Sequence, residues 1–157
     1  MKILCIGSAT LDLFFQSDDL PETKDGMRLS LAYGGKYVAR NFAESIGGGG
    51  CNTAVSLARQ GFEVFYWGRV GNDRPGNRVI KKLKKEGVKT NLIQKGEQTT
   101  ISAILLGKKG ERTIVTFRAK NDYLDFNSQV KNVLKEINFL YFANLPLCPQ
   151  EERLKWL

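Results

Sequence analysis
Residues 2–7 (Lys-Ile-Leu-Cys-Ile-Gly) are almost continuously apolar and end in glycine, the pattern of a strand buried on both faces of an α/β sheet. Residues 8–15 continue this run and carry Asp12 among Leu11, Leu13, Phe14 and Phe15. The pattern then breaks into shorter β-like pieces. Residues 28–33 and 36–46 flank a Gly34-Gly35 pair and predict a hairpin, and residues 99–106 and 111–118 predict a second one around the turn from Gly107 to Gly110. Between the hairpins, four glycines at 47–50 open a helix whose apolar face is Ala54, Val55, Leu57 and Ala58, with Gly61 at its stop. Residues 62–67 predict a second core strand. Asp73, with Pro75 behind it, predicts the N-cap of a helix that Gly87 closes, and residues 88–93 make a short strand or connector. Val130, Val133, Leu134 and Ile137 stand at helical spacing within 128–137, residues 139–143 predict a third core strand, and a last helix starts near Gln150 and runs to the end of the sequence. Residues 144–149 form a loop at the C-terminal end of the third strand, the end at which open α/β sheets bind ligands.

Strands alternating with helices predict an α/β sheet, and two hairpins that interrupt the alternation predict a small separate sheet able to act as a lid. No internal repeat or low-complexity segment changes this picture.

Composition narrows the chemistry. With 157 residues, 42% hydrophobic and 25% charged, the chain is long enough for one domain with a real core. No apolar run is long enough to span a bilayer and residues 1–7 hold no signal-peptide pattern, so a soluble, cytoplasmic protein with no membrane partner is expected. Cys5, Cys51 and Cys148 are odd in number and widely spaced, which predicts reduced thiols. The absence of histidine excludes Ser-His-Asp and Cys-His catalysis and makes a zinc site improbable. Any proton transfer falls to carboxylates or lysines. Of the net charge of +8, a local excess lies at Arg78, Lys81, Lys82, Lys84, Lys85, Lys89 and Lys95 against Glu86. Val79, Ile80 and Leu83 turn inward on that helix, which leaves the lysines on a solvated face. No aromatic residues interleave with them, so no nucleic-acid partner is expected.

Two places invite a ligand. The glycines at 47–50 strip every Cβ from a turn before a helix, which predicts exposed backbone amides and a positive dipole end, with the carboxamide of Asn52 in the first turn. A flexible linker before an ordinary helix is the plainer reading of the same residues. Asp12 among apolar neighbours either turns to solvent at a strand end or accepts hydrogen bonds from a ligand's hydroxyls, because an unpartnered buried carboxylate is costly.

Taken in order, these pieces resemble the N-terminal half of the ribokinase-like (PfkB) carbohydrate kinases over essentially the whole chain. The resemblance rests on Gly7 and Asp12 at the first strand, the Gly-Gly run with Asn52 and a small-residue helix ending at Gly61, the segment Gly68-Arg-Val-Gly-Asn-Asp73, the helix ending Glu86-Gly87-Val88, and the lid-like hairpin at 99–118. Their order and spacing are specific where each alone is weak.

The resemblance implies an α/β fold: a partial ribokinase-like doubly wound sheet, Rossmann-like with three α/β/α layers, and a small β-hairpin lid contributed by residues of about 27–46 and 99–118. It implies that Asp12 and Asn52 bind sugar hydroxyls, that the backbone of Gly48 and Gly49 touches the sugar, and that Arg118 and Asn144 make lesser contacts. The reaction implied is transfer of the ATP γ-phosphoryl to a hydroxyl of a sugar, sugar-like polyol or nucleoside, with Mg2+, and dimerisation through the lid. The family's catalytic Asp lies in a Gly-Ala-Gly-Asp motif that this sequence does not contain, so no catalytic residue is assigned and ATP and Mg2+ are expected to bind through an absent C-terminal half. On that reading the 157 residues are a fragment, inactive alone, and leave an apolar sheet edge and parts of the sheet faces uncovered. A non-catalytic sugar- or nucleoside-binding module is the alternative.

Overall fold
The structure is a computed structural model that describes residues 1–23, 28–108, 110–121, 123–145 and 148–156. Met27 of the first lid segment, Lys109 of the second turn, residues 146–147 of the strand-end loop and Leu157 lie outside the described residues. The described chain forms two compact units. The first comprises Met1–Leu11, Ile46–Thr100 and Arg118–Leu157; the second comprises Asp12–Ser45 and Ile101–Phe117.

The first unit is built on a parallel sheet of three strands, β1 (Lys2–Ile6), β4 (Glu63–Trp67) and β9 (Phe139–Phe142), in the order β4-β1-β9. Its register sets Cys5 opposite both Tyr66 and Tyr141. Because side chains alternate across a pleated sheet, Leu4, Ile6, Phe65, Trp67 and Phe142 share one face. There they pack with Val130 and Val133 of helix α3 (Ser128–Leu134) and with Trp156 beyond α4 (Gln150–Leu154). Helix α1 (Gly49–Arg59) lies against β1 and β4 on the other side. Helices on both faces make the three layers expected from the sequence, and they explain why these strands read as unbroken apolar runs.

The face shared with α1 is not covered to its edge. Phe139 and Tyr141, in register with Ile3 and Cys5, are 59% and 41% exposed, while Cys5 is fully buried. The edge strand β9 thus carries the uncovered apolar surface anticipated from the sequence.

Helix stops follow the expected glycines. Gly61 and Gly87 have φ of 87° and 81°. In each case the residue after the glycine donates its N–H back to the helix, Phe62 to Leu57 O at 3.2 Å and Val88 to Leu83 O at 3.0 Å. This pairing satisfies carbonyls that the last turn would otherwise leave bare. Helix α2 (Arg74–Lys85) begins at Asp73, whose side chain accepts from Gly76 N–H, with Pro75 in the first turn. Two short strands, β5 (Arg69–Gly71) and β6 (Gln94–Gly96), pair in parallel beside it. Of the two readings of 88–93, short strand or connector, the connector holds: the stretch makes one bridge, Lys89 to Phe65, and the strand follows at 94–96.

The second unit holds most of a four-stranded sheet, ordered β3 (Asn41–Gly47), β2 (Thr10–Gln16), β7 (Thr100–Leu106) and β8 (Arg112–Phe117). The hairpin β7–β8 forms as expected, antiparallel from Ile101↔Phe117 to Leu106↔Arg112. The other hairpin does not. Gly34-Gly35 makes its turn, Gly35 N–H donating to Ala32 O at 3.0 Å, but residues 28–40 form no strand and Leu29 bridges only to Glu22. β3 instead lies beside β2, so residues 8–15 contribute a strand of this second sheet and not a continuation of the core strand. An apolar run signals burial, but the sheet in which it is buried is decided by its partners.

Candidate functional site
Helix α1 starts where β3 ends. Gly48 is its N-cap at φ 92°, ψ 140°, a conformation that L side chains avoid, and a Cβ there would lie 2.4 Å from the carbonyl oxygen of Ser8. A Cβ on Gly50 would fall 2.7 Å from Gly7 Cα, and one on Gly7 would fall 2.6 Å from Ala143 Cβ. Bare backbone is therefore the only filling that lets the turn after β1, the start of α1 and the end of β9 meet.

Hydrogen bonds fix this meeting point. Ala143 N–H donates to Ile6 O at 2.8 Å, Gly7 N–H to Trp67 O at 3.3 Å, and Cys51 N–H to Ser8 O at 3.3 Å. The buried Tyr66 hydroxyl donates to Gly7 O at 2.7 Å. One of the amides expected to be open to a ligand, that of Cys51, is thus spent inside the protein, and Asn52 N–H makes an intrahelical bond to Gly48 O at 2.9 Å. What Asn52 offers outward is its side chain, which is exposed.

The sequence-derived residues are distributed as follows. Gly48, Gly49, Asn52 and Asn144 gather in the first unit, at the C-terminal ends of β1 and β9. Gly49 and Asn144 are exposed, and a Cβ on Gly49 would come within 3.2 Å of Cβ of Ala143, the residue before Asn144. Arg118 is exposed immediately after β8, the setting of a solvated strand-end arginine. Asp12 sits half-buried on β2. Sequence reasoning missed Ser8 and Tyr66 and named Gly7 only as a family marker. The available signal was Tyr66 itself, since a tyrosine in an otherwise apolar buried strand needs a partner for its hydroxyl.

A second polar cluster lies at the start of α2. Asp73 accepts from Gly76 N–H at 2.8 Å, from the Thr99 hydroxyl at 2.6 Å and from Thr99 N–H at 2.8 Å. The same Thr99 oxygen accepts from Gly71 N–H at 2.9 Å. Burial pushes the Asp73 carboxyl up, but the Thr99 hydroxyl and the backbone N–H groups of Gly76 and Thr99 outweigh it and hold the group below its ordinary value. All its oxygens serve the fold, so Asp73 is an anchor at the foot of β7.

The exposed carboxamides of Asn52 and Asn144 each offer a donor pair and an acceptor, and neither titrates near neutral pH. The arrangement suits binding of hydroxyls, not proton transfer. Among the described residues, no three His, Cys, Asp or Glu side chains are placed to hold a metal ion. No described helix is long and apolar enough to cross a membrane.

A family model described as pfkB family carbohydrate kinase matches residues 1–157. The chain is 32% identical over 124 residues to ribokinase of Bacillus subtilis (strain 168), covering 78% of this chain and 39% of that protein. It is 32% identical over 89 residues to 2-dehydro-3-deoxygluconokinase of the same organism, covering 55% of this chain and 28% of that protein. Among solved structures, ribokinase from Cryptococcus neoformans var. grubii serotype A in complex with ADP superposes with a TM-score of 0.67 at 26% identity, over 99% of this chain and 44% of that one. The chain thus spans less than half the length of each of these proteins.

Proposed function
The chain belongs to the pfkB family of carbohydrate kinases, and from that premise we propose that it supplies the sugar-binding floor and lid of an enzyme that transfers the ATP γ-phosphoryl to a hydroxyl of a sugar, sugar-like polyol or nucleoside. The observation that carries this reading is the glycine floor. Gly48 and Gly50 seat the start of α1 on the Ser8 and Gly7 backbone after β1, Gly49 lies against the Ala143 methyl at the end of β9, and Asn52 and Asn144 are exposed.

In this reading Asn52 and Asn144 orient the substrate by donating to and accepting from its hydroxyls. The backbone of Gly48 and of the exposed Gly49 touches the ring. Asp12 accepts from a further hydroxyl and Arg118 makes a peripheral contact. Such contacts contribute to rate by holding one hydroxyl in line for attack. ATP and Mg2+ supply the phosphoryl group and its charge neutralisation. We assign neither to a residue of this chain, because it contains no Gly-Ala-Gly-Asp segment and no described acid cluster fits the metal. The protein acts in the cytoplasm on a small molecule, and pairs through the lid sheet, whose edge strand β8 is exposed along its whole length.

A thermal-shift screen of sugars and nucleosides, run on the full-length protein and on its Asp12→Asn variant, tests the reading. A stabilising sugar should raise the midpoint of the parent and raise that of the variant much less. Equal stabilisation of both removes Asp12 from the site; no stabilisation by any sugar or nucleoside defeats the floor assignment.

A further inference from the structure
Tyr66 is the next-to-last residue of β4, fully buried, and its hydroxyl reaches out of the core to the carbonyl of Gly7 at 2.7 Å. Gly68 makes that reach possible. A Cβ at Gly68 would lie 2.2 Å from the Tyr66 oxygen, 2.5 Å from its Cζ and 2.7 Å from Gly7 O, so the phenol passes through the space that any side chain at 68 would occupy. Tyr66, Gly68 and Gly7 are therefore three positions of one device. Removing the hydroxyl would leave the Gly7 carbonyl without this donor.

The device acts on the floor through successive carbonyls. Gly7 O is held by Tyr66, and the next carbonyl, Ser8 O, accepts from Cys51 N–H in the first turn of α1. Gly48, the N-cap, packs against the same Ser8 oxygen, and Gly50 packs on Gly7 Cα. The orientation of the Gly7-Ser8 turn therefore decides where Gly48, Gly49 and Asn52 stand relative to Ala143 and Asn144.

We propose that Tyr66 is a positioning residue of the substrate floor: its hydroxyl, admitted by Gly68, locks the Gly7-Ser8 turn that seats the N-terminus of α1. The proposal rests on the sugar-floor reading for its functional consequence and on the geometry alone for the lock. With the hydroxyl gone, the Gly7 peptide can rotate, Ser8 O leaves Cys51 N–H, and the start of α1 loosens against β9. The β4 core, which keeps the aromatic ring, stays in place.

The test is Tyr66→Phe in the full-length protein, read by residue-resolved amide hydrogen exchange and by calorimetric titration with whichever sugar stabilises the parent. Exchange at Cys51 should accelerate about tenfold, the change expected on losing one buried hydrogen bond, while the Val64 and Phe65 amides keep the parent rate. Sugar affinity should fall about three- to tenfold with ATP affinity unchanged. Gly68→Ala, which drives the phenol off Gly7 O, should reproduce the Cys51 effect. Cys51 exchange at the parent rate in Tyr66→Phe overturns the lock. A merely structural role would lower the melting midpoint and leave both sugar affinity and the Cys51-to-Val64 contrast unchanged, which overturns the positioning role. If the parent binds no sugar, the floor assignment fails, and the exchange measurement still decides the lock.

Discussion

Replacing Asp73 with alanine isolates the cost of the anchor at the foot of β7. The substitution removes three hydrogen bonds at once, from Gly76 N–H, Thr99 N–H and the Thr99 hydroxyl. Loss of the helix cap costs about 1 kcal/mol. Thr99 is only 1% exposed, so water does not readily replace the acceptor its amide loses, and that orphan adds about 1–3 kcal/mol. The sum, about 2–4 kcal/mol, corresponds to a fall in melting midpoint of roughly 5–15 °C in a chain of this size. Circular dichroism melts of Asp73→Ala, Thr99→Val and the double variant measure it. Because both single changes break the same bond, the double variant should be less destabilised than their sum by about 1 kcal/mol or more. Glu152→Ala, at an exposed surface pair with Lys155, serves as the control and should hardly move the midpoint. A fall of less than about 2 °C for Asp73→Ala, or strict additivity with Thr99→Val, would refute the anchor.

Other outcomes follow from the same structure. The Glu86 carboxyl is pulled down to about 2 by hydrogen bonds first from Arg59 and then from Lys82. Being depressed, it contributes stability that is fully present above its ordinary value of 4.5 and is lost as pH falls toward about 2; Glu86→Gln should therefore flatten that part of an acid-denaturation profile. Gly61→Ala should cost only about 1 kcal/mol, because the site strains the backbone but has no heavy atom near the added methyl. Gly50→Ala should cost several times more in urea melts and abolish sugar-dependent stabilisation, because its methyl meets the Gly7 backbone at 2.7 Å. Cys5, Cys51 and Cys148 are all buried, and burial pushes the Cys5 thiol up to about 11; Ellman's reagent should find none of the three reactive before unfolding, and a fast native thiol would contradict their placement.

Much of this protein was legible in its sequence wherever the deciding physics is local. The buried strands at residues 2–7 and 62–67, the Asp73 cap, the stops at Gly61 and Gly87 and the β7–β8 hairpin each depend on a few adjacent residues: a run of apolar side chains, one oxygen aimed at its own helix, or a glycine able to take positive φ. The order of Gly7 and Asp12, the glycine run with Asn52, the segment from Gly68 to Asp73, the helix end at Gly87 and the hairpin at 99–118 together pointed to the family. Tertiary structure decided what depends on distant partners. It assigned residues 10–16 to the four-stranded sheet, because their ladder runs to β3 and β7 and not to β1. It denied strand pairing to residues 28–40 around a turn that the sequence had marked correctly. It also turned the Cys51 amide inward to Ser8 and sent the Tyr66 hydroxyl through the gap at Gly68. A glycine run in a sequence announces that something comes close to the backbone. Whether that neighbour is a ligand or another turn of the same chain is settled only when strands far apart in sequence are laid side by side, and here the glycines at 48 and 50 make room for the chain itself, while 49 lies against the Ala143 methyl and stays exposed.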